Sequence, residues 1–528
     1  MIPRRLPAAP VGIDDTVAMN VLATRSLPRF ASTVLTLVLC LLAAPRGVAA
    51  WPVAAPTGTL AQQINAHIGQ PRFAAARWGI AVVSLDDGRL LYAHHADELL
   101  QPASTAKLFT AALSLATLGP DYRIPTRLLA TGRVHDGRLD GSLILYGRGD
   151  PTLGTATSSD WAEQLAAQLA AARVTRIRGD LIADDSYFTG PSFGSGWEAG
   201  DLQSWFAVPS SALSVGENVV TITVAPGLTA GRPAQLQFDP PLAQPEMLGK
   251  VRTTSPATAG DINLYRAPGA NTLYAFGTVA VNAPPEHFKL AVDDPALLGG
   301  RTLQQALARR GIGLTGALRV LHWPQDDSLL LAHAHALAQV WSPTVLDMLQ
   351  RGLKRSQNLY LQNLLLSVGA QQQVAAPDTA FLTTESYGVR ALHALLRKIG
   401  VAPSAALIDE GSGLSRRDLV TPNALVRILT YLAAQPYADA VRAALPIAGV
   451  DGTLIRRMRQ TAAERNVHAK TGSMSYVNCM AGYVTSAAGE RLVFAIMLNN
   501  YQPPADGPHA GSDVDAIALM LANYRGGR

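Results

Sequence analysis

His468-Ala469-Lys470-Thr471-Gly472 leads into residues 476–485, a stretch of strand composition. The chain then turns at Ala487-Ala488-Gly489-Glu490 and returns as Arg491-Leu492-Val493-Phe494-Ala495-Ile496-Met497-Leu498. At the other end of the chain, Trp78-Gly79-Ile80-Ala81-Val82-Val83-Ser84-Leu85 reads as a buried strand. Asp86-Asp87-Gly88 is a hairpin turn signal, and residues 89–94 are the returning strand. Helical patterns accompany both ends, near Leu60–Ile68, at 104–115, from 342 through 366, at 423–434 and at 514–522. The middle differs. From about residue 124 to 343 strand-and-turn patterns dominate, with turns at Asp136-Gly137 and Asp140-Gly141 and strands at 142–146, 219–224 and 273–281. Helices there are expected at 160–173 and 301–310, and Pro/Gly/Ala-rich stretches such as 226–245 mark internal loops. The economical reading is one α/β domain, residues 51–123 with 344–528, its sheet closed by strands from both chain ends. A β-rich insertion, residues 124–343, interrupts it and is expected to hold two nested domains.

The chain has 528 residues, 48% of them apolar and 16% charged, which excludes a disordered or solvating chain and leaves material for a sizeable core. The net charge of +5 is unevenly placed. Residues 1–50 hold five Arg and two Asp, so the remaining chain, with 39 basic and 37 acidic groups, has almost no net field to attract phosphate. Nucleic acid is not an expected partner. Only six of the 44 basic residues are Lys: Lys107, Lys250, Lys289, Lys354, Lys398 and Lys470. A Lys kept in an Arg-rich background suggests a task that needs a group able to give up its proton. The two cysteines are Cys40 and Cys479. Cys40 lies in an apolar run expected to be removed, so no intramolecular disulfide is expected. His94-His95 and His333-Ala334-His335 lack helical metal-ligand spacing and read as solvated or core histidines; no metal site is expected.

Residues 1–50 read as an export signal. Arg25 and Arg29 precede the apolar run 30–44, and Val48-Ala49-Ala50 forms a small-residue exit, with cleavage expected after Ala50. The run is short for a membrane-spanning helix. Met19 is a plausible initiator, and an uncleaved anchor is the competing reading. The mature protein is expected outside the cytoplasm.

Three short motifs carry chemistry. Ser104-Thr105-Ala106-Lys107 places a hydroxyl and an amine one helical turn apart. A Ser hydroxyl is a poor nucleophile without a base, and a Lys whose pKa is lowered by neighbouring positive charge or by desolvation can be that base. Taken alone, the same residues serve as a helix start with a surface Lys. Ser356-Gln357-Asn358 could relay a proton through its hydroxyl and hold a carbonyl with its amide; alone, it reads better as a helix cap. Lys470-Thr471-Gly472, followed by Ser473, offers a positive charge, two hydroxyls for a carboxylate and a Gly that lets a substrate backbone approach. Its bland reading is a strand end before a turn.

In this order the three form the S-x-x-K, S-x-N and K-T-G set. The sequence here resembles the penicillin-binding protein and serine β-lactamase superfamily. The 252 residues from Ser104 to Ser356 are too many for a β-lactamase. Such an insertion is similar to that of the class C low-molecular-mass penicillin-binding proteins, the D-alanyl-D-alanine carboxypeptidase/endopeptidase family called PBP4 or DacB-like (peptidase family S13). Gly149-Asp150-Pro151-Thr152-Leu153, residues 179–186 and Gly216-Glu217-Asn218 look like that family's insertion. Asp409-Glu410-Gly411-Ser412-Gly413-Leu414-Ser415 and residues 449–454 look like its later signatures. Gln357 departs from the more frequent Asp or Asn.

The resemblance implies a transpeptidase-like fold and acyl transfer on peptidoglycan stem peptides ending in D-Ala-D-Ala or on DD-crosslinks, with β-lactams as covalent inhibitors and no cofactor. It implies Ser104 as nucleophile and Lys107 as base, kept neutral by a cationic neighbourhood. Ser356 and Lys470 would pass a proton to the leaving amine. Asn358 would hold a substrate amide, Thr471 and Ser473 the terminal carboxylate, and Gly472 the close approach. The N–H groups of Ser104 and Ser473 would form an oxyanion hole. A β-lactamase and a non-catalytic peptidoglycan-binding or sensing protein are the alternatives.

Overall fold

The computed structural model describes residues 59–257, 260–377, 380–507 and 509–526; the expected export signal and Cys40 lie outside them. The labelled elements are the helices α1 (Leu60–Ile68), α2 (Lys107–Thr117), α3 (Val345–Lys354), α4 (Asn358–Ala375), α5 (Thr384–Lys398), α6 (Pro422–Ala433) and α7 (Ala510–Asn523). The strands are β1 (Arg77–Ser84), β2 (Leu90–His94), β3 (His468–Met474), β4 (Val477–Thr485) and β5 (Arg491–Asn499).

These five strands form one sheet in the order β2-β1-β5-β4-β3, every neighbour antiparallel. Strand β1 from the front of the chain pairs with β5 from its end, Trp78 opposite Leu498 and Ile80 opposite Ile496. Successive side chains of a strand point to opposite faces, and both faces here are covered. Leu492, Phe494, Ile496 and Leu498 join a core with α1 and α7, whereas Val493, Ala495 and Met497 join a core with α2, α4 and α6. This is why residues 491–498 are apolar without alternation. Burying a side chain such as Phe494 contributes roughly 1.5–3 kcal/mol relative to leaving it exposed. Cys479 is buried, and dehydration pushes its thiol well above the ordinary range.

Residues between α2 and α3 build other sheets. A five-stranded one runs in the spatial order Leu318–Leu321, Leu181–Asp184, Leu143–Tyr146, Pro125–Ala130, His335–Trp341, with helices Trp161–Ala171 and Pro295–Arg309 sharing its core. Strand Pro125–Ala130 pairs antiparallel with His335–Trp341, Pro125 opposite Trp341, so the two ends of the stretch between α2 and α3 lie side by side. Residues 219–291 form a three-stranded and a four-stranded sheet.

Several boundaries differ from the sequence pattern. The helix expected at 301–310 begins at Pro295, because Asp294 caps it through the Leu297 N–H and Pro suits the first helical position. Helix α5 carries no expectation from sequence; Thr383 caps it through the Ser386 N–H. The helix expected from 342 through 366 is two, α3 and α4, with Ser356 between them at φ +57°. No helix among the described residues is long and apolar enough to cross a membrane.

Candidate active site

Ser104 sits in a tight turn, Ala103–Ala106, that runs directly into α2. In a 3₁₀ turn residues i and i+3 eclipse, which brings Lys107 over Ser104. Lys107 Nζ lies 2.8 Å from Ser104 Oγ. Ala103 has φ +46°, a costly conformation for a residue with a Cβ, held where the chain must present Ser104.

The amine of Lys107 is fully buried and has two further partners. Both are acceptors: Asn358 Oδ1, and the Ser412 carbonyl at 2.6 Å. Asn358, the first residue of α4, is held in turn by donating to the Phe206 carbonyl at 2.7 Å. Dehydration lowers the Lys107 pKa from 10.5 to about 7, against the opposing pull of the acidic pair Glu410 and Asp418. The cationic neighbour that the resemblance implies is Lys470, which interacts with Lys107 through charge, but burial is the larger cause of the lowered pKa.

Lys470 is also fully buried on β3, with Nζ 2.9 Å from Ser356 Oγ and 2.7 Å from the Thr471 carbonyl. Burial, and then the charge of Lys107, hold its pKa well below 10.5. Ser356 does not cap α4; the helix begins after Gln357, and Ser356 takes the left-handed conformation that turns its hydroxyl to Lys470. Gln357 donates to Glu217 Oε2 at 3.0 Å, and Tyr360 and Arg351 also donate to Glu217, so a residue from the intervening region braces the start of α4.

Strand β3 is an edge strand, so one side of its backbone has no neighbour in the sheet. Thr471 Oγ1 lies 2.7 Å from Thr453 Oγ1, and Ser473 is exposed. A Cβ on Gly472 would lie 2.4 Å from the Pro102 carbonyl and 3.1 Å from the Thr105 nitrogen. Only Gly lets β3 lie against the Ser104 turn. Gly472→Ala is expected to cost about 1–3 kcal/mol of stability, read as a lowered melting temperature.

All the expected site residues except the two buried amines line one cleft of about 260 Å³: Ser104, Ser356, Asn358, Thr471, Gly472 and Ser473. Lys107 and Lys470 lie beneath it, each within hydrogen-bond reach of a cleft serine. Sequence reasoning missed Trp205 and Phe206 on its wall, and the Arg457–Asp515 ion pair at 2.7 Å. Nothing local in the sequence marks these. It also assigned no role to Glu410 and Asp418, although an acid directly before Gly411-Ser412-Gly413 is a legible signal for a nest of backbone N–H groups.

Known proteins resemble the chain over most of its length. The chain is 34% identical over 484 residues to a D-alanyl-D-alanine carboxypeptidase of Actinomadura sp., covering 88% of this chain and 85% of that one. It is 28% identical over 426 residues to the D-alanyl-D-alanine carboxypeptidase DacB of Haemophilus influenzae, covering 80% and 85%. The crystal structure of penicillin binding protein 4 (dacB) from Haemophilus influenzae superposes with a TM-score of 0.75 at 26% identity, over 87% of this chain and 99% of that one. The family model for D-Ala-D-Ala carboxypeptidase 3 matches residues 60–523, from α1 to the last residue of α7 and through all three motifs. A match that runs over most of the chain places it in the D-Ala-D-Ala carboxypeptidase 3 (S13) family.

Proposed function

We propose that the chain is a serine-type D-Ala-D-Ala carboxypeptidase that also cleaves DD-crosslinks, acting on peptidoglycan peptides through an acyl-enzyme on Ser104. The observation that carries this reading is the bonding at Lys107. A neutral amine has two N–H donors and one lone pair. Asn358 Oδ1 and the Ser412 carbonyl can only accept, so they take the two donors. The lone pair is left for the hydroxyl of Ser104.

Lys107 accepts the Ser104 proton as Oγ bonds to the carbonyl carbon of the penultimate residue. The N–H groups of Ser104 and Ser473 stabilise the oxyanion. Ser356, with Lys470 beside it, delivers a proton to the departing amine. Asn358 holds a substrate amide, Thr471 and Ser473 receive the terminal carboxylate, and the free edge of β3 aligns the peptide as an added strand over Gly472. Water then hydrolyses the ester. A penicillin acylates the same oxygen and leaves slowly. Residues 124–343 are read as one insertion of two nested units, and the chain as an exported, periplasmic enzyme with residues 1–50 as its signal.

The deciding experiment is digestion of purified monomeric and crosslinked muropeptides, with chromatographic identification of products. Loss of a terminal D-Ala, and conversion of dimers to monomers, are expected. Intact substrates at high enzyme concentration would overturn the reading in favour of a non-catalytic binding protein. Fast turnover of a chromogenic cephalosporin would favour a β-lactamase.

The pH dependence follows from Lys107. Acylation needs the unprotonated amine, so its rate rises with pH through about 7 and falls about tenfold per unit below that. An ordinary Lys would place this limb above pH 10. Rates of fluorescent penicillin labelling between pH 5 and 9 test it; a flat profile from 5 to 8 rules out Lys107 as the base.

A further inference from the structure

Glu410 is wholly buried, yet it has no Lys or Arg partner among the described ion pairs. Its carboxylate is met by backbone. Oε2 accepts from the Ser412 N–H at 2.7 Å, and Oε1 accepts from the N–H groups of Gly413, Leu414 at 2.9 Å and Ser415 at 3.4 Å. Such a nest of N–H groups takes an anion. The loop wound around it matters for two reasons. Its Ser412 carbonyl holds Lys107. Its Gly413, at φ +76°, packs so closely on the Ser104 turn that a Cβ there would lie 2.2 Å from the Ala103 carbonyl.

Asp418 is buried beside Glu410. Its Oδ1 accepts from the Asp409 N–H at 2.8 Å, while its buried Oδ2 has no donor to satisfy it. Two adjacent carboxylates in a dry interior cannot both keep a charge at modest cost. A proton on Oδ2 of Asp418, directed to Glu410, removes both the repulsion and the unsatisfied oxygen. Burial and the Glu410 charge push the Asp418 pKa well above the carboxylate range, in the same direction. The other charged groups facing the pair are Lys107, Asp409 with its partner Arg417, and Glu385 on α5, itself raised mainly by burial.

We propose that Glu410 and Asp418 are positioning residues for acyl transfer. They share one proton as a buried acid–carboxylate pair, and its single negative charge winds the 412–415 loop that fixes Lys107 on Ser104. The inference rests on Lys107 being the base. One charge, rather than none or two, leaves the amine of Lys107 able to lose its proton near neutrality while the loop stays wound.

The test is the pH profile of penicillin acylation in the full chain, for the wild type, Glu410→Gln, Glu410→Asp and Asp418→Asn. Glu410→Gln turns an N–H₂ toward a nest of donors and removes the charge. Acylation at pH 7 is expected to fall at least about 30-fold, with the acid limb moving about one unit lower. Glu410→Asp is expected to restore the limb and part of the rate. Asp418→Asn mimics the protonated acid, and its limb is expected within about 0.3 units of wild type. The proposal is overturned if Glu410→Gln keeps its rate, or loses rate with the limb unmoved, which would mean loop structure alone. It is equally overturned if Asp418→Asn moves the limb as far as Glu410→Gln, which would mean two charges. Should Glu410→Gln not fold, the Asp418→Asn profile decides by comparison with wild type: a limb moved by more than about 0.3 units overturns the proposal. A wild type with no limb between pH 6 and 8 would remove Lys107 as base and overturn both readings; a normal wild-type limb with unresponsive variants overturns only this one.

Discussion

Ser104→Ala is expected to abolish covalent penicillin labelling and muropeptide hydrolysis together, by on the order of 10⁴-fold or more. The substitution removes one oxygen and keeps the Cβ, so the Ala103–Ala106 turn and its packing persist. Stability should change by less than about 0.5 kcal/mol, because Ser104 is half-exposed at the cleft rather than in the core. Among the described residues the other cleft serine bonded to a lysine is Ser356, whose partner is Lys470. Intact-protein mass spectrometry after penicillin exposure reads the outcome directly. A mass adduct on the Ser104→Ala protein would end the assignment of the nucleophile.

Lys107→Arg is expected to lower acylation at least about 10³-fold, although charge at neutral pH and side-chain class look conserved. The guanidinium does not deprotonate near neutrality and has no lone pair to receive the Ser104 proton. The slot is also wrong for it. Lys107 is fully enclosed, and its three partners suit a compact amine rather than a planar fork. A permanent charge in that dry site should also lower the melting temperature. Rate constants for penicillin acylation measure the first effect, and near-normal acylation would refute Lys107 as base.

Much of this was legible in the sequence, because the chemistry is written in short local motifs and the sheet in uninterrupted apolar runs. Strands β1, β2, β4 and β5 fall within a residue or two of the pattern. The three motifs meet at one cleft, as the set implies. What the sequence did not disclose depends on long-range burial. The reason for the low Lys107 pKa is one case. Motif chemistry leaves neighbouring positive charge and desolvation both open, and in the fold desolvation is the larger cause. The break at Ser356 is another. Residues 342–366 are helical in composition throughout, and the left-handed Ser356 closes the end of α3, its N–H and that of Gln357 bonding back to the Leu353 and Gly352 carbonyls. Glu217 is a third: its bonds to Arg351, Gln357 and Tyr360 join residues far apart in the chain.

The pairing of β1 with β5 has a consequence for how the molecule comes into being. Trp78 and Leu498 lie about 420 residues apart, so β1 can pair at once with β2 but gains its other neighbour only after that whole span has been made. Lys470, on the edge strand β3, is made only shortly before β5. A chain stopped before β3 therefore holds Ser104 and Lys107 but no groove. Contacts of such long sequence separation also slow the search for the native state. Reactivity toward penicillin is thus a timed property: it should switch on in one step, when β5 closes on β1, and can serve as a clock for completion of folding.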